Sequence, residues 1–154
     1  MDNNNIFLAV KAAIVGIFGA FGAAFGWLGW LGRAWIGCMV VDYISGSSAA
    51  MKAGQWSSAK ARGGIWHKAG MIVVVIVAAV ADNVLSLVVD SIPGIPIEYT
   101  VLLLPMVLVW YILTELGSIL ENAAAMGAPV PEFLIRILAS AKDKVEEVTG
   151  ENIE

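Results

Sequence analysis

The chain has 154 residues, 59% hydrophobic and 14% charged, with a formal net charge of −4. A soluble domain carries about 25% charged residues, so this composition, with apolar runs of about 18 residues or more, excludes an ordinary globular domain and points to a polytopic membrane protein. A single cysteine (Cys38) excludes an intrachain disulfide or a cysteine-based metal site, and the little chain outside the apolar runs argues against a separate catalytic domain.

The first predicted element covers residues 6–32, apolar except for Lys11. About 20 helical residues cross the hydrocarbon at 1.5 Å per residue. A cleaved signal peptide has a shorter h-region of about 7–15 residues behind a basic n-region. Here the n-region holds Asp2, and Lys11 is its only base. A membrane span is therefore the better reading. Glycine recurs at Gly16, Gly19, Gly22, Gly26, Gly29 and Gly32. In lipid, small residues let helix backbones approach closely. Two readings stay open for Gly16, Gly19, Gly22, Gly26 and Gly29: a seam between copies of the chain, or packing against another helix of the same chain. The ending Trp27-Leu28-Gly29-Trp30-Leu31-Gly32 suits an interfacial turn, because Trp favours headgroup depth.

After Arg33, residues 34–51 form a second run interrupted only by Asp42. Residues 52–68 carry Lys52, Lys60, Arg62, Lys68 and the sole histidine, His67, with no acid. Lys and Arg resist translocation, so this stretch reads as a cytoplasmic loop. Gly54 and Gly63-Gly64 are expected to break helix there, with Trp56 and Trp66 at the interface. The third run, 69–90, has Asp82 inside it and Asp90 at its end. Its length and lack of turn residues favour a membrane helix over a buried strand. Pro93, Gly94 and Pro96 mark a turn. The fourth run, 99–121, contains Pro105, read as a proline tolerated near a helix start, and Glu115.

Residues 132–154 differ in kind. Leu134, Leu138, Ala141, Val145 and Val148 form a heptad stripe among charged residues. This helix is expected to dock on the membrane surface, pair in an oligomer, or form an ordinary amphipathic tail.

The expected fold is thus an all-α integral membrane protein. Residues 1–131 form a domain of four transmembrane helices (about 6–32, 34–51, 69–90 and 99–121), and residues 132–154 form a cytoplasmic amphipathic helix. With the basic loop inside, both termini are cytoplasmic, and Arg33 is the only base placed outside.

Asp42, Asp82 and Glu115 lie one in each of three spans. An ionised acid at mid-membrane costs about 2.5–3.5 kcal/mol, so such residues face a partner, a wet cavity or a helix interface. Two readings stay open: lining a water path or polar contact between helices, or structural hydrogen bonding to Tyr43, Ser45, Asn83 or Thr114. No intramembrane Lys or Arg balances these acids apart from Lys11, so an ion-pair network within one chain is not expected. The sequence holds no nucleophile–His–acid set, no metal-spaced His/Cys cluster and no phosphate-cradling loop. No enzyme activity, cofactor, metal or nucleic-acid partner is expected.

Val41-Asp42-Tyr43-Ile44-Ser45-Gly46, then Ser57-Ser58, then Gly63-Gly64-Ile65 with Lys68 opening an apolar helix that carries Asp82, form a series of blocks that resembles the toxin-secretion/phage-lysis holin family. Tyr111-Ile112-Leu113-Thr114-Glu115-Leu116, Ser118-Ile119-Leu120-Glu121-Asn122 and Met126-Gly127-Ala128-Pro129-Val130-Pro131 follow in the same order. The resemblance covers roughly residues 7–138. Asp42, Tyr43, Gly46, Asp82, Glu115 and Glu121 fall on motif positions. The loop departs by having Ala59, Ala61 and Trp66 in place of further basic residues.

The resemblance implies a phage-encoded or prophage-encoded protein of the bacterial cytoplasmic (inner) membrane. Such a protein accumulates, oligomerises with itself in the bilayer and opens lesions through which an endolysin, or a toxin, crosses. After Met1 the next methionine is Met39, so any antiholin is expected to be a separate protein. Two other classes remain: a small-solute channel or transporter subunit using the acids as a selective site, and a membrane scaffold acting through its C-terminal helix. No inverted repeat of the broken-helix type supports the transporter.

Overall fold

The computed structural model describes residues 3–92 and 100–150, and among them the chain is all-helical. The four helices are α1 (Asn3–Lys52), α2 (Ser58–Ser91), α3 (Leu103–Ala125) and α4 (Glu132–Gly150). The expected turn at Pro93, Gly94 and Pro96 lies outside the described residues, as do residues 151–154 of the tail.

α1 has 50 residues but is not one straight rod. Gly26, at φ 54° and ψ −128°, leaves the helical region. A Cβ makes such angles costly, and glycine lacks one. The flanking segments 3–25 and 27–52 would each run about 35–39 Å at 1.5 Å per residue, enough to cross a bilayer. The break was expected at Arg33 and the preceding Trp-Leu-Gly repeat. Instead Arg33 lies inside the helix, where its Nε donates to the Gly29 carbonyl one turn back at 3.2 Å.

The basic loop expected over 52–68 contracts to residues 53–57. Gly54 turns the chain with φ 66°. Ser57 caps α2, its side chain accepting the Lys60 N–H at 3.2 Å. The helix then continues through Gly63-Gly64. Each interior glycine costs about 1 kcal/mol relative to alanine, and the 34-residue helix carries both. Lys60, Arg62, His67 and Lys68 therefore stand on the first turns of α2 instead of in a loop.

α3 is the central element. It packs most extensively on α1, and also on α2 and α4, while α1 and α2 touch sparingly. The core is Trp35, Met39, Met71 and Leu108, flanked by Leu31, Val75, Leu104, Tyr111 and Ile112. Trp35 stacks on Tyr111 with ring centroids 6.0 Å apart and planes 18° apart. Outside this core the apolar residues face outward. Val73, Val77, Val80, Val84 and Leu87 on α2 are all exposed, which suits a lipid solvent better than water. Two helices among the described residues, α2 and α3, are long and apolar enough to cross a membrane.

α4 folds back along α3. Leu138, Ala141, Lys142 and Val145 are half-buried, while Leu134 and Val148, the ends of the heptad stripe, are exposed. Ile135 and Leu138 share a cavity of about 420 Å³ with Leu120, Glu121 and Ala124. Val145 and Glu146 share another, of about 310 Å³, with Leu103, Met106 and Trp110. The two helices therefore run antiparallel, side by side.

Candidate functional site: buried acids between the helices

The three acids do not converge on one point. Asp42 and Glu115 meet at Lys68. Lys68 Nζ lies 2.9 Å from Asp42 Oδ2 and 2.6 Å from Glu115 Oε2, joining α1, α2 and α3. The side chains are largely shielded, at 15% exposure for Lys68, 18% for Asp42 and 5% for Glu115. This corrects the expectation that no cation within the chain balances the acids. The sequence alone places Lys68 in the basic loop, as a topology-setting residue. The extension of α2 puts it ten residues into a helix, about 15 Å from that helix's start.

The cluster continues through Asn122. Its Nδ2 donates to Asp42 Oδ1 and to Ser45 Oγ, each at 3.1 Å. Ser45 Oγ in turn donates to the Asp42 carbonyl at 3.1 Å. The spacings explain the convergence. Glu115, Ser118 and Asn122 follow i, i+3, i+7 on one face of α3, and Asp42 and Gly46 follow i, i+4 on α1. Gly46 faces Asn122 closely: a Cβ there would stand 3.4 Å from Asn122 Nδ2, in ordinary contact.

Asp42, Lys68, Ser118 and Asn122 border a cavity of about 210 Å³ that also reaches Trp56 and Lys60. It runs from the 53–57 turn toward the ion cluster. Two carboxylates against one ammonium leave the cluster one negative charge in excess when all three are ionised.

Asp82 does something different. Only 2% exposed, it accepts the backbone N–H of Leu102 at 3.2 Å, Leu103 at 3.0 Å and Leu104 at 2.7 Å. A helix start leaves four N–H groups without partners inside the helix. In α3 the fourth position is Pro105, which has no N–H. One carboxylate from α2 thus covers every remaining donor at the start of α3, and its charge complements the helix dipole. Asp82 lies fourteen residues beyond Lys68 on α2, about 21 Å along the axis.

The other expected residues are placed as follows. Lys52 Nζ donates to the Met126 carbonyl, tying the end of α1 to the end of α3. Lys60 and Arg62 are exposed on α2. Gly29 is buried. No atom lies within 4 Å of where a Cβ would stand on Gly16 or Gly19, and the described side chains of residues 5–19 are exposed. Gly22 lies in the same helix. Among the described residues no group of three or more His, Cys, Asp or Glu is placed to hold a metal ion.

Sequence reasoning did not select Asn122, although its i+7 relation to Glu115 was visible. It also did not select Trp110. The Trp110 Nε1 donates to Glu146 Oε1 at 2.9 Å, and Lys142 Nζ sits 4.8 Å from the Trp110 ring centroid, pinning α4 to α3.

Helices this apolar on their outer surface, with acids paired between them, define a small helical membrane protein. The chain belongs to the bacteriophage holin family, whose profile matches residues 19–143. This is a family of non-enzymatic membrane proteins. The chain is 36% identical over 104 residues to an uncharacterised protein of Halalkalibacterium halodurans, covering 68% of this chain and 72% of that one. It is 31% identical over 104 residues to an uncharacterised protein of Clostridium perfringens, covering 68% of this chain and 69% of the relative. A second Clostridium perfringens protein, described as lying in the nagH 3' region, is also 31% identical, over 68% of this chain and 70% of its own length. No solved structure matches.

Proposed function

We propose that this chain is a holin that accumulates in the bacterial cytoplasmic membrane, associates with copies of itself and opens lesions large enough for a lytic enzyme or toxin to cross. In this reading segments 3–25 and 27–52, α2 and α3 make four crossings. Lys52, Lys60 and Arg62 hold the 53–57 turn in the cytoplasm, together with the N-terminus and the end of α3. Partners are other copies, lipid, the exported enzyme and a separate antiholin.

The observation that carries the reading is the exposure of the first segment. Its described side chains up to residue 19 are exposed, and Gly16 and Gly19 are open to a close approach. Small residues in membrane helices favour tight helix–helix contact, and a second copy is the partner that an accumulating protein always has at hand. The Lys68 cluster supports the quiet stage. It gives Asp42 and Glu115 a shared cation inside the monomer, which lowers the cost of holding both acids between the helices. At high density those contacts can be exchanged for contacts with water. A change in membrane potential adds about 2.3 kcal/mol per charge moved per 100 mV.

Reconstitution tests this. Vesicles at rising protein-to-lipid ratio are loaded with dextrans of graded size, and oligomers are trapped by crosslinking. Abrupt release of large dextrans at the ratio where oligomers appear is expected. Replacing Gly16 and Gly19 by leucine should move that threshold to higher protein density. Selective ion flux with retention of all dextrans would point to a channel instead.

A further inference from the structure

α4 is too charged for lipid and lies where lipid should be. Lys142, Asp143, Lys144, Glu146 and Glu147 are five charges within six positions. Yet this part of the helix packs against the half of α3 that begins at Leu103, where Val145 and Glu146 border one cavity with Leu103, Met106 and Trp110. The contact is specific. Trp110 Nε1 donates to Glu146 Oε1 at 2.9 Å, and Lys142 Nζ lies 4.8 Å from the Trp110 ring centroid. Asp143, Lys144 and Glu147 look outward. If α3 crosses the membrane, these residues stand at membrane depth. A single ionised side chain there already demands a partner or water. Asp143, Lys144 and Glu147, facing away from α3, demand water along that outer face.

From this geometry we propose that α4 lines the aqueous lumen of the open lesion. It lies along α3 with its charged face to water and its Leu138, Ala141 and Val145 side on α3. Each subunit then presents two kinds of surface. The exposed valines of α2 suit acyl chains, and α4 supplies a ready-made hydrated wall, so the lumen does not have to be lined by the buried acids. The helix enters this position from the cytoplasmic end of α3, through residues 126–131. The inference rests on the lesion reading above, because it takes α3 as membrane-spanning and the lumen as wet.

The test uses the full chain with Cys38→Ser, reconstituted in vesicles that report dextran release. Spin labels are placed at two exposed positions, Val101→Cys beside the start of α3 and Lys144→Cys on α4. A second pair, Val101→Cys with Glu147→Cys, guards against local disruption by either label. In leaking vesicles, both pairs should give distances well below the hydrocarbon thickness of about 30 Å. The α4 label should also collide with a water-soluble nickel chelate more than with oxygen. Leaking vesicles with both distances beyond that thickness would place α4 in the cytoplasm and overturn the inference while leaving the lesion reading intact. Short distances with a label shielded from the chelate would overturn it too. Vesicles that never leak would remove the lesion reading, and the inference with it.

Discussion

Asp82 reaches from α2 to accept the backbone N–H of Leu104 at 2.7 Å, one residue before Pro105. The same carboxylate takes the N–H groups of Leu102 and Leu103. A helix start buried without water must find partners for its donors. Here one acid and one proline meet the whole requirement. An unsatisfied buried donor costs about 1–3 kcal/mol. Asp82→Asn, which keeps one acceptor and turns a donor toward α3, is expected to lower stability by about that amount, and Asp82→Ala by more. Pro105→Ala should change it by less than about 1 kcal/mol, since the new N–H offsets the better helix former. Reversible unfolding in detergent micelles, followed by circular dichroism, reads all three. Equal stability of Asp82→Ala and the parent protein would remove the cap from the account.

Lys68 is expected to be the most sensitive single position in the ion cluster. Breaking one side of a buried pair costs about 3–5 kcal/mol. The 15–18% exposure of Lys68 and Asp42 places the loss toward the lower end. Lys68→Met should therefore destabilise strongly, while the triple change with Asp42→Asn and Glu115→Gln should recover most of the loss. Compared at equal membrane density, Lys68→Met should also depolarise cells earlier, because the contacts holding the quiet monomer are gone. Quantitative blotting of membranes with timed depolarisation checks this.

Gly46 tests the contact between α1 and α3. Alanine there meets Asn122 at 3.4 Å, an ordinary contact, and its better helix propensity is worth about 1 kcal/mol. Gly46→Ala is expected to be near neutral. Gly46→Leu should push Asn122 away from Asp42 and cost about 1–3 kcal/mol through overpacking. The same unfolding assay separates the two variants.

Gly26 sets the path of α1. Alanine at φ 54° and ψ −128° is strained by about 1–3 kcal/mol, so Gly26→Ala should favour a continuous helix. Spin labels at Lys11 and Ile44 would then stand about 50 Å apart along a straight axis at 1.5 Å per residue. A shorter separation is expected with glycine in place. Identical distances for both proteins would contradict the kink.

The helical class and the apolar character of α2 and α3 were legible in the sequence, because they rest on composition and period. The pairing was not. Lys68 meets Asp42 across 26 residues and Glu115 across 47, and no local pattern encodes such distances. Lys68 also looked like part of a loop, because Gly63-Gly64 lower helix propensity. The Ser57 cap and the packing of Gly64 beside Tyr43 override that preference. The break in α1 was misplaced for a related reason. Six similar glycines share the segment, and only tertiary structure selects Gly26. Asp82 stands out in the sequence as an acid inside an apolar run, but its role as a cap depends on where α3 begins, at Leu103.

Inducible expression in bacteria, with a dye reporting membrane potential and parallel blotting of the membrane fraction, tests whether the chain opens abrupt, nonselective lesions by associating in the membrane. Normal growth during accumulation is expected, then sudden depolarisation and growth arrest at a reproducible membrane density. Steady growth with intact potential at high membrane levels would contradict the lesion reading.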